Sequence, residues 1–376
     1  MWDLKQNKSI CIYPYVHKHY KLDGNEAFCC FSKANYGKQG EDNTPKRKNI
    51  IEQMQKGLPI EGCQICYKKE TEGFTSPRIE RTKQWIARHG EPKGINLQWY
   101  DIRNDDTCNL KCKYCGPYYS TLWKKELEIP VTRKKPIVVS DKDITECKSW
   151  YTAGGEPFLN QPFLEIIGRF GKLNPDAEVI ITSNLSNVSD KWLEALSKLT
   201  NLTITASIDA SGILLQYLRY PVTEQRVTET MNRIYNYTDA RLLAGTTASN
   251  LSIHAFDKTY EYLKKNLKDH TQIEMGIVTT PEEFTVNAIP YDVRQHYVDT
   301  TNKVIKQINA DSKTIRKLIM IDRLKNVLHR LEHEKYDSAL HKKLQNTLTT
   351  QDSKRSLKLI DVDPFLHDWI YNKYTA

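Results

Sequence analysis

From Ile95 to about Thr280 the chain alternates two patterns. Short, mostly apolar runs over 95–102, 148–153, 178–184, 201–209, 240–249 and 272–279 read as strands. Between them, roughly at 119–128, 160–171, 189–198, 223–236 and 257–267, lie segments that read as helices. Strands that are apolar on both faces are covered on both sides. Strand and helix in strict alternation imply parallel pairing through right-handed crossovers. The predicted fold class is α/β: a partial (β/α)6 barrel, with a small N-terminal Cys-rich module and C-terminal helices. In a parallel barrel the active site is built at the strand C-termini. The polar residues of this region gather there. A cysteine-bearing loop follows the first strand, and Gly154-Gly155-Glu156-Pro157 follows the second. Ser183-Asn184 ends the third, Ser207 and Asp209 end the fourth, and Ser249-Asn250 ends the fifth.

The flanks are patterned differently. Residues 1–94 are weak in periodic apolar positions. Asp23-Gly24 between two strand-like pieces, Cys11 to His17 and Phe28 to Cys30, reads as a hairpin turn. Gly62-Cys63-Gln64-Ile65-Cys66 reads as a C-x2-C hairpin. Residues 75–94 read as a helical linker, opened by Ser76-Pro77 and closed by Gly90 and Pro92. Residues 281–376 are mostly helical. Ser312 is placed to cap a helix whose apolar positions run from Ile315 through Leu318, Ile319, Leu324, Val327, Leu328 and Leu331. His329 and His333, four apart on that helix, read as a solvated face, because a zinc-protease glutamate is missing. Asp361 to Trp369 reads as a terminal segment docked by its aromatics. The resulting division is 1–94, 95–290 and 291–376.

Charge adds little to this division. The net +9 is spread as +6 over 1–100, −3 over 101–300 and +6 over 301–376. Basic flanks are ordinary solvated surface that also suits an acidic peptide or nucleic-acid partner. No segment reaches the ~20 apolar residues of a membrane helix, and Met1 to Gln6 lacks a secretory core. The expected location is therefore the cytoplasm, with no membrane partner.

Cysteine usage changes the picture more. Nine cysteines in a reducing compartment are better read as metal ligands than as disulfides. Cys108, Cys112 and Cys115 are spaced C-x3-C-x2-C, with Tyr114 just before the third. Three thiolates on one loop can hold a [4Fe–4S] cube and leave one iron open. Structural zinc prefers four closed ligands in paired C-x2-C units, which this spacing does not supply. Cys11, Cys29 or Cys30, Cys63 and Cys66 form a second, closed four-ligand set, suited to zinc or to another [4Fe–4S] cluster. Cys147 stands apart as an ordinary buried thiol.

C-x3-C-x-aromatic-C, followed at successive strand ends by Gly-Gly-Glu-Pro, Ser-Asn and Ser-x-Asp, resembles the radical SAM superfamily over about 95–290. The early cysteines resemble a SPASM or twitch auxiliary-cluster module, whose G-x4-C hairpin is matched by Gly24 to Cys29 and whose C-x2-C by Cys63 and Cys66, so the resemblance favours Cys29 over Cys30. Its position ahead of the barrel resembles phage-encoded twitch-domain radical SAM proteins. The resemblance implies that Cys108, Cys112 and Cys115 hold a [4Fe–4S] cluster whose open iron binds S-adenosylmethionine. It implies cofactor contacts from Tyr114, Gly154, Gly155, Glu156, Ser183, Asn184, Ser207, Asp209, Arg219, Asn250 and Val278, with Ile277 beside the last. It implies a second [4Fe–4S] cluster on Cys11, Cys29, Cys63 and Cys66, with zinc as the alternative. Reductive cleavage would then give a 5′-deoxyadenosyl radical that abstracts hydrogen from substrate, the chemistry belonging mainly to the cofactor. No catalytic acid–base dyad is apparent. An electron donor such as flavodoxin or ferredoxin is implied. A peptide or protein is the first substrate class, and a nucleic acid or nucleotide the second. A non-catalytic iron–sulfur protein is a third reading, disfavoured because an electron carrier has no use for the strand-end residues.

Overall fold

The computed structural model describes residues 2–32, 34–103, 105–132, 137–268, 273–311 and 315–372. The chain forms two compact units. The first comprises Met1–Asp106, Arg133–Ile181 and Lys198–Leu202; the second comprises Thr107–Thr132, Thr182–Ser197 and Thr203–Ala376.

In the first unit, β1 (His17–Tyr20), β2 (Asn25–Ala27), β3 (Gly37–Lys38), β4 (Trp99–Ile102), β5 (Ser149–Thr152) and β6 (Glu178–Ser183) lie in the order β3-β2-β1-β4-β5-β6. The pairs β1/β4, β4/β5 and β5/β6 are parallel, and β1/β2 and β2/β3 antiparallel. Trp99 to Ile102 sit opposite both His17 to Tyr20 and Ser149 to Thr152. The Asp23-Gly24 turn joins β1 to β2 as expected, with Gly24 at φ 77°, a left-handed conformation that favours glycine.

Three local expectations are corrected. The C-x2-C segment is not a hairpin: Cys63 precedes a helix, Gln64–Thr71. The reversal falls one residue earlier, at Gly62 with φ 88°, and Gln64 to Thr71 contains no turn residue to stop a helix. The run after Cys11 opens as a short helix, Tyr13–Val16, with Pro14 in its first turn, so the strand begins only at His17. β4 begins at Trp99 rather than Ile95. The preceding amides of Asn96 and Gln98 bond the carbonyls of Tyr15 and Val16, at 2.8 and 2.9 Å, outside the ladder.

The helix Pro77–His89 is present, capped by Ser76, whose hydroxyl accepts from the Ile79 amide. Its Trp85 is buried and stacks on Trp99, with ring centroids 5.6 Å apart. It packs with Ile10, Ile12, Tyr15, Phe28, Tyr36 and Met54 into one apolar core. Arg47 enters this core fully buried. It is paired with Glu26 at 2.7 Å, donates to the His17 carbonyl at 2.8 Å, and lies over the Tyr36 ring.

In the second unit, β7 (Leu202–Ser207), β8 (Arg241–Ala248) and β9 (Ile273–Ile277) are parallel neighbours. The sheet in each unit is open. The helices Gly212–Leu218, Glu224–Tyr237 and Phe256–Asn266 connect these strands, and Tyr291–Asp311, Ile315–His333 and Ser338–Ser353 follow. Ser312 lies outside the described residues. On Ile315–His333 the inward positions are Met320, Ile321, Leu324, Val327 and Leu331. Leu318 and Ile319 are 65 % and 53 % exposed, against the expectation that they line the same face. The terminal segment docks by its aromatics as expected: Trp369 is buried, and Phe365 stacks on His254 at 5.6 Å. Among the described residues no helix is long and apolar enough to cross a membrane.

Candidate cluster loop and strand-end site

The cysteine loop is shaped by bonds from both its flanks. Ser120 caps the helix Thr121–Glu126: its hydroxyl accepts from the Trp123 amide and donates to the Leu110 carbonyl at 2.6 Å. The Thr121 hydroxyl accepts from the Cys108 amide at 3.2 Å and donates to the Cys108 carbonyl at 3.1 Å. The Trp123 indole donates to the Cys112 carbonyl at 3.1 Å. On the other side the amides of Lys111 and Lys113 donate to the carbonyls of Tyr220 and Leu218, at 2.7 and 2.8 Å. The loop backbone is thereby held at Cys108, at Cys112 and between them, and the Cys115 amide closes onto the Cys112 carbonyl at 3.1 Å, as a cluster-binding turn requires because its thiolates must meet fixed corners.

Two side chains donate toward the thiols themselves. Asn184 Nδ2 lies 3.8 Å from Cys108 Sγ, and Arg219 Nη1 lies 3.9 Å from Cys112 Sγ. Asn184 also bonds Asn109 Oδ1 at 3.2 Å, and its own Oδ1 accepts from the Ser186 amide. Burial raises the Cys112 thiol above its ordinary value, opposed by the Arg219 charge. Burial likewise raises the Cys115 thiol. Desolvated thiols with donors aimed at their sulfurs fit a metal cluster, which takes them as thiolates and leaves those donors to compensate the sulfur charge. The donor chemistry therefore fits the group that the spacing implies.

Asp209 is the hub of the strand-end residues in this unit. It is fully buried and accepts from Tyr114 Oη, from Arg219 Nε at 2.6 Å and from the Thr247 amide at 2.6 Å. Burial raises the Tyr114 phenol, and the Asp209 charge adds to it. Arg219 stays charged, its guanidinium raised by the Asp209 carboxylate against the cost of burial. Ser183 Oγ accepts from the Leu185 amide at 3.0 Å, where Leu185 takes a left-handed φ of 52°. Ser207 ends β7 opposite Gly245. Val278 follows β9, buried, with its amide on the Ala248 carbonyl at 3.0 Å. Asn250 is wholly buried, and its Nδ2 bonds the carbonyls of Glu283 and Thr285 at 2.8 and 3.1 Å. That amide clamps the chain after β9, while its Oδ1 has no hydrogen-bond partner among the described residues.

Gly154, Gly155 and Glu156 belong to the first unit. Gly154 has φ 128°, and a Cβ there would meet the Asp105 carbonyl oxygen at 2.8 Å. The Gly155 amide donates to that same oxygen at 2.8 Å. Glu156 is buried and accepts from the Phe158 amide at 3.1 Å.

The early cysteines also lie in the first unit. Cys11, Cys29 and Cys66 are buried, Cys63 and Cys30 half-buried. Burial pushes the Cys11 thiol up to about 12, and the charges of Cys63 and Cys66 contribute. Burial raises the Cys63 thiol to about 11, with Cys66 adding to it. Cys29 feels both Cys30 and Cys11. The Phe31 amide donates to Cys29 Sγ at 3.3 Å, as a thiolate ligand is commonly supported. Among the described residues no three His, Cys, Asp or Glu side chains converge on a single ion position. Cys147 is buried, as expected of an ordinary thiol.

Sequence reasoning missed several charged residues in both units. Glu126 accepts from Arg355 at 3.0 Å and pairs with Lys111. Arg103, at the end of β4, is forked onto buried Asp101 at 2.9 and 3.2 Å, with His19 on the same carboxylate. Lys113 is buried against Asp352. Glu126–Arg355, Asp101–His19 and Lys113–Asp352 join residues far apart in sequence, and the only local signal is charge in an otherwise apolar strand or between two cysteines.

Residues 106–263 match the family model described as the Radical SAM superfamily. A GTP 3′,8-cyclase from Clostridium acetobutylicum is 30% identical over 99 residues, covering 26% of this chain and 30% of that protein. Among solved structures, native anSMEcpe with bound AdoMet matches with a TM-score of 0.44 and 17% identity, over 57% of this chain and 62% of that one. Streptococcus suis SuiB bound to S-adenosylmethionine matches with a TM-score of 0.40 and 13% identity, over 70% and 61%. The chain thus spans less than two thirds of each of these relatives. The thiol triad stands at the head of this matched segment, residues 106–263, and both of its donors, Asn184 and Arg219, lie within it.

Proposed function

We propose that the protein is a radical S-adenosylmethionine enzyme that modifies a peptide or protein. The observation that carries this reading is the loop of Cys108, Cys112 and Cys115, pinned by backbone bonds and faced by donors from Asn184 and Arg219. When bound there, a [4Fe–4S] cluster with S-adenosylmethionine supplies a 5′-deoxyadenosyl radical by one-electron cleavage of the sulfonium.

The residues of the chain prepare for that chemistry. The three thiolates hold three irons. Arg219 and Asn184 offset sulfur charge, and so help set the potential of the cluster. Asp209 keeps Arg219 and Tyr114 in place. The cofactor-binding candidates of the second unit are Tyr114, Ser183, Ser207, Asn250 and Val278; Gly154, Gly155 and Glu156 are candidates in the first. The glycines let backbone approach a ligand. Cys11, Cys29, Cys63 and Cys66 would hold a second cluster, or zinc, in a module spanning 1–94, and an auxiliary cluster there would suit a peptide or protein substrate. A flavodoxin- or ferredoxin-type reductant supplies the electron.

Protein reconstituted with iron and sulfide under anaerobic conditions, given dithionite and S-adenosylmethionine, is expected to release 5′-deoxyadenosine. Cys112→Ala is expected to abolish the release. No cleavage by fully loaded wild type would sink the reading. The second reading, a nucleotide substrate, is favoured by the short match to a GTP 3′,8-cyclase. Deuterium transfer into 5′-deoxyadenosine from a labelled peptide or a labelled nucleotide separates the two.

A further inference from the structure

Lys113 stands between the second and third cysteines of the loop, where a lysine would ordinarily point to water. Instead its side chain is fully buried. Nζ lies 2.5 Å from Asp352 Oδ1 and 3.9 Å from the centre of the Tyr217 ring. Asp352 is held in turn: Tyr217 Oη donates to both its oxygens at 3.1 Å, and the Leu359 amide donates to Oδ2 at 3.0 Å. The residue before it, Gln351, donates to the Lys113 carbonyl at 3.1 Å. Thus two successive residues near the end of the helix Ser338–Ser353 grip one loop residue, by its ammonium and by its backbone, across 239 positions of sequence. A second brace from the same helix end runs beside it: Arg355 pairs with Glu126 at 3.0 Å and lies over the Trp123 ring, and the Trp123 indole bonds the Cys112 carbonyl.

A buried ion pair is a poor source of net stability, because the cost of desolvating both charges offsets their attraction. What such a pair supplies well is geometry, since each charge has one low-energy place to be. We propose that Asp352 is a positioning residue for the cluster. Through Lys113 it fixes the loop between Cys112 and Cys115, so that the C-terminal helix completes the binding loop. This rests on the radical SAM reading of that loop.

The test uses full-length protein reconstituted anaerobically, compared as wild type, Cys112→Ala, Asp352→Ala and the double variant Lys113→Met with Asp352→Leu. The readouts are the EPR spectrum of the dithionite-reduced protein before and after S-adenosylmethionine, and far-UV circular dichroism. Wild type is expected to show a cofactor-induced spectral change that Cys112→Ala lacks. Asp352→Ala is expected to fold but to need about 10–100-fold more S-adenosylmethionine for that change, the usual loss when an outer partner of a metal ligand is removed. The double variant, which packs the space without stranding a charge, is expected to fold as stably as wild type but to keep the raised requirement, because the pair that fixes the loop is gone. A folded Asp352→Ala with a wild-type response overturns the proposal, as does a double variant with a wild-type response. A wild type without a Cys112-dependent signal overturns the radical SAM reading, and the proposal with it.

Discussion

Replacing Asp209 by alanine removes the acceptor at which three donors meet. Arg219 Nε, the Thr247 amide and Tyr114 Oη all point at that one buried carboxylate. The largest consequence falls on Arg219, whose side chain is only 12 % exposed and would be left as a buried cation beside the Cys112 thiol. Breaking a buried pair from one side costs about 3–5 kcal/mol. Replacing Arg219 by methionine is milder. The carboxylate keeps its bonds from Thr247 and Tyr114, and the loss is closer to that of one charged hydrogen bond, about 1.5–3 kcal/mol. The ranking is therefore D209A worse than R219M. The double variant D209A/R219M should be less damaged than D209A, because the stranded charge is gone. Urea unfolding of the cluster-free protein measures the ranking. Hydrogen exchange at the Thr247 amide gives the local readout, since its bond to Asp209 is absent in D209A and kept in R219M. An R219M protein as unstable as D209A, or a double variant no better than D209A, would refute the reasoning.

Other outcomes follow from single features. His17 is buried with its Nδ1 on the Phe28 carbonyl, and burial depresses its pKa to about 3 from the ordinary 6.5. A depressed pKa means that the unfolded chain takes up the proton first. Stability is then full above about pH 6.5 and falls toward pH 3, by up to about 1.4 kcal/mol per pH unit; His17→Asn should flatten the dependence of melting temperature on pH between 7 and 5. Gly154→Ala forces a Cβ onto the Asp105 oxygen at 2.8 Å in a left-handed conformation, and is expected to lose roughly 1–3 kcal/mol. Gly168→Ala, in open space on a helix, should gain about 0.5–1 kcal/mol, and thermal melts compare them. Cys29→Ala should halve the iron bound per chain, whereas Cys30→Ala should keep it, as read by iron assay after reconstitution.

The alternating strands and helices were legible because their apolar residues follow the period of the local structure, and β5 to β9 fall within a few residues of the expected ranges. The hairpin at Asp23-Gly24 was legible for the same reason, since its geometry is set by two neighbouring residues. The C-x2-C segment misled because cysteine spacing says which thiols are close and nothing about whether a strand or a helix brings them there. Leu318 and Ile319 misled because an apolar residue on a helix is read as inward when periodicity alone is used. The Lys113–Asp352 and Glu126–Arg355 pairs were illegible for a third reason. Burial of a charge depends on a partner that only the folded chain supplies, and no local pattern announces it.

The grip of Asp352 on Lys113 also orders events in time. At about 5–20 residues per second, the 239 positions between them separate their synthesis by roughly ten seconds to under a minute. During that interval the three thiols are already made, but the loop that carries them is unfinished. A ribosome-bound chain cut short of Asp352 would present the cysteines to oxygen and stray metal without the residue that sets their spacing. On the proposed role of Asp352, a chain cut short of that residue should take up cluster poorly even where iron and sulfide are plentiful.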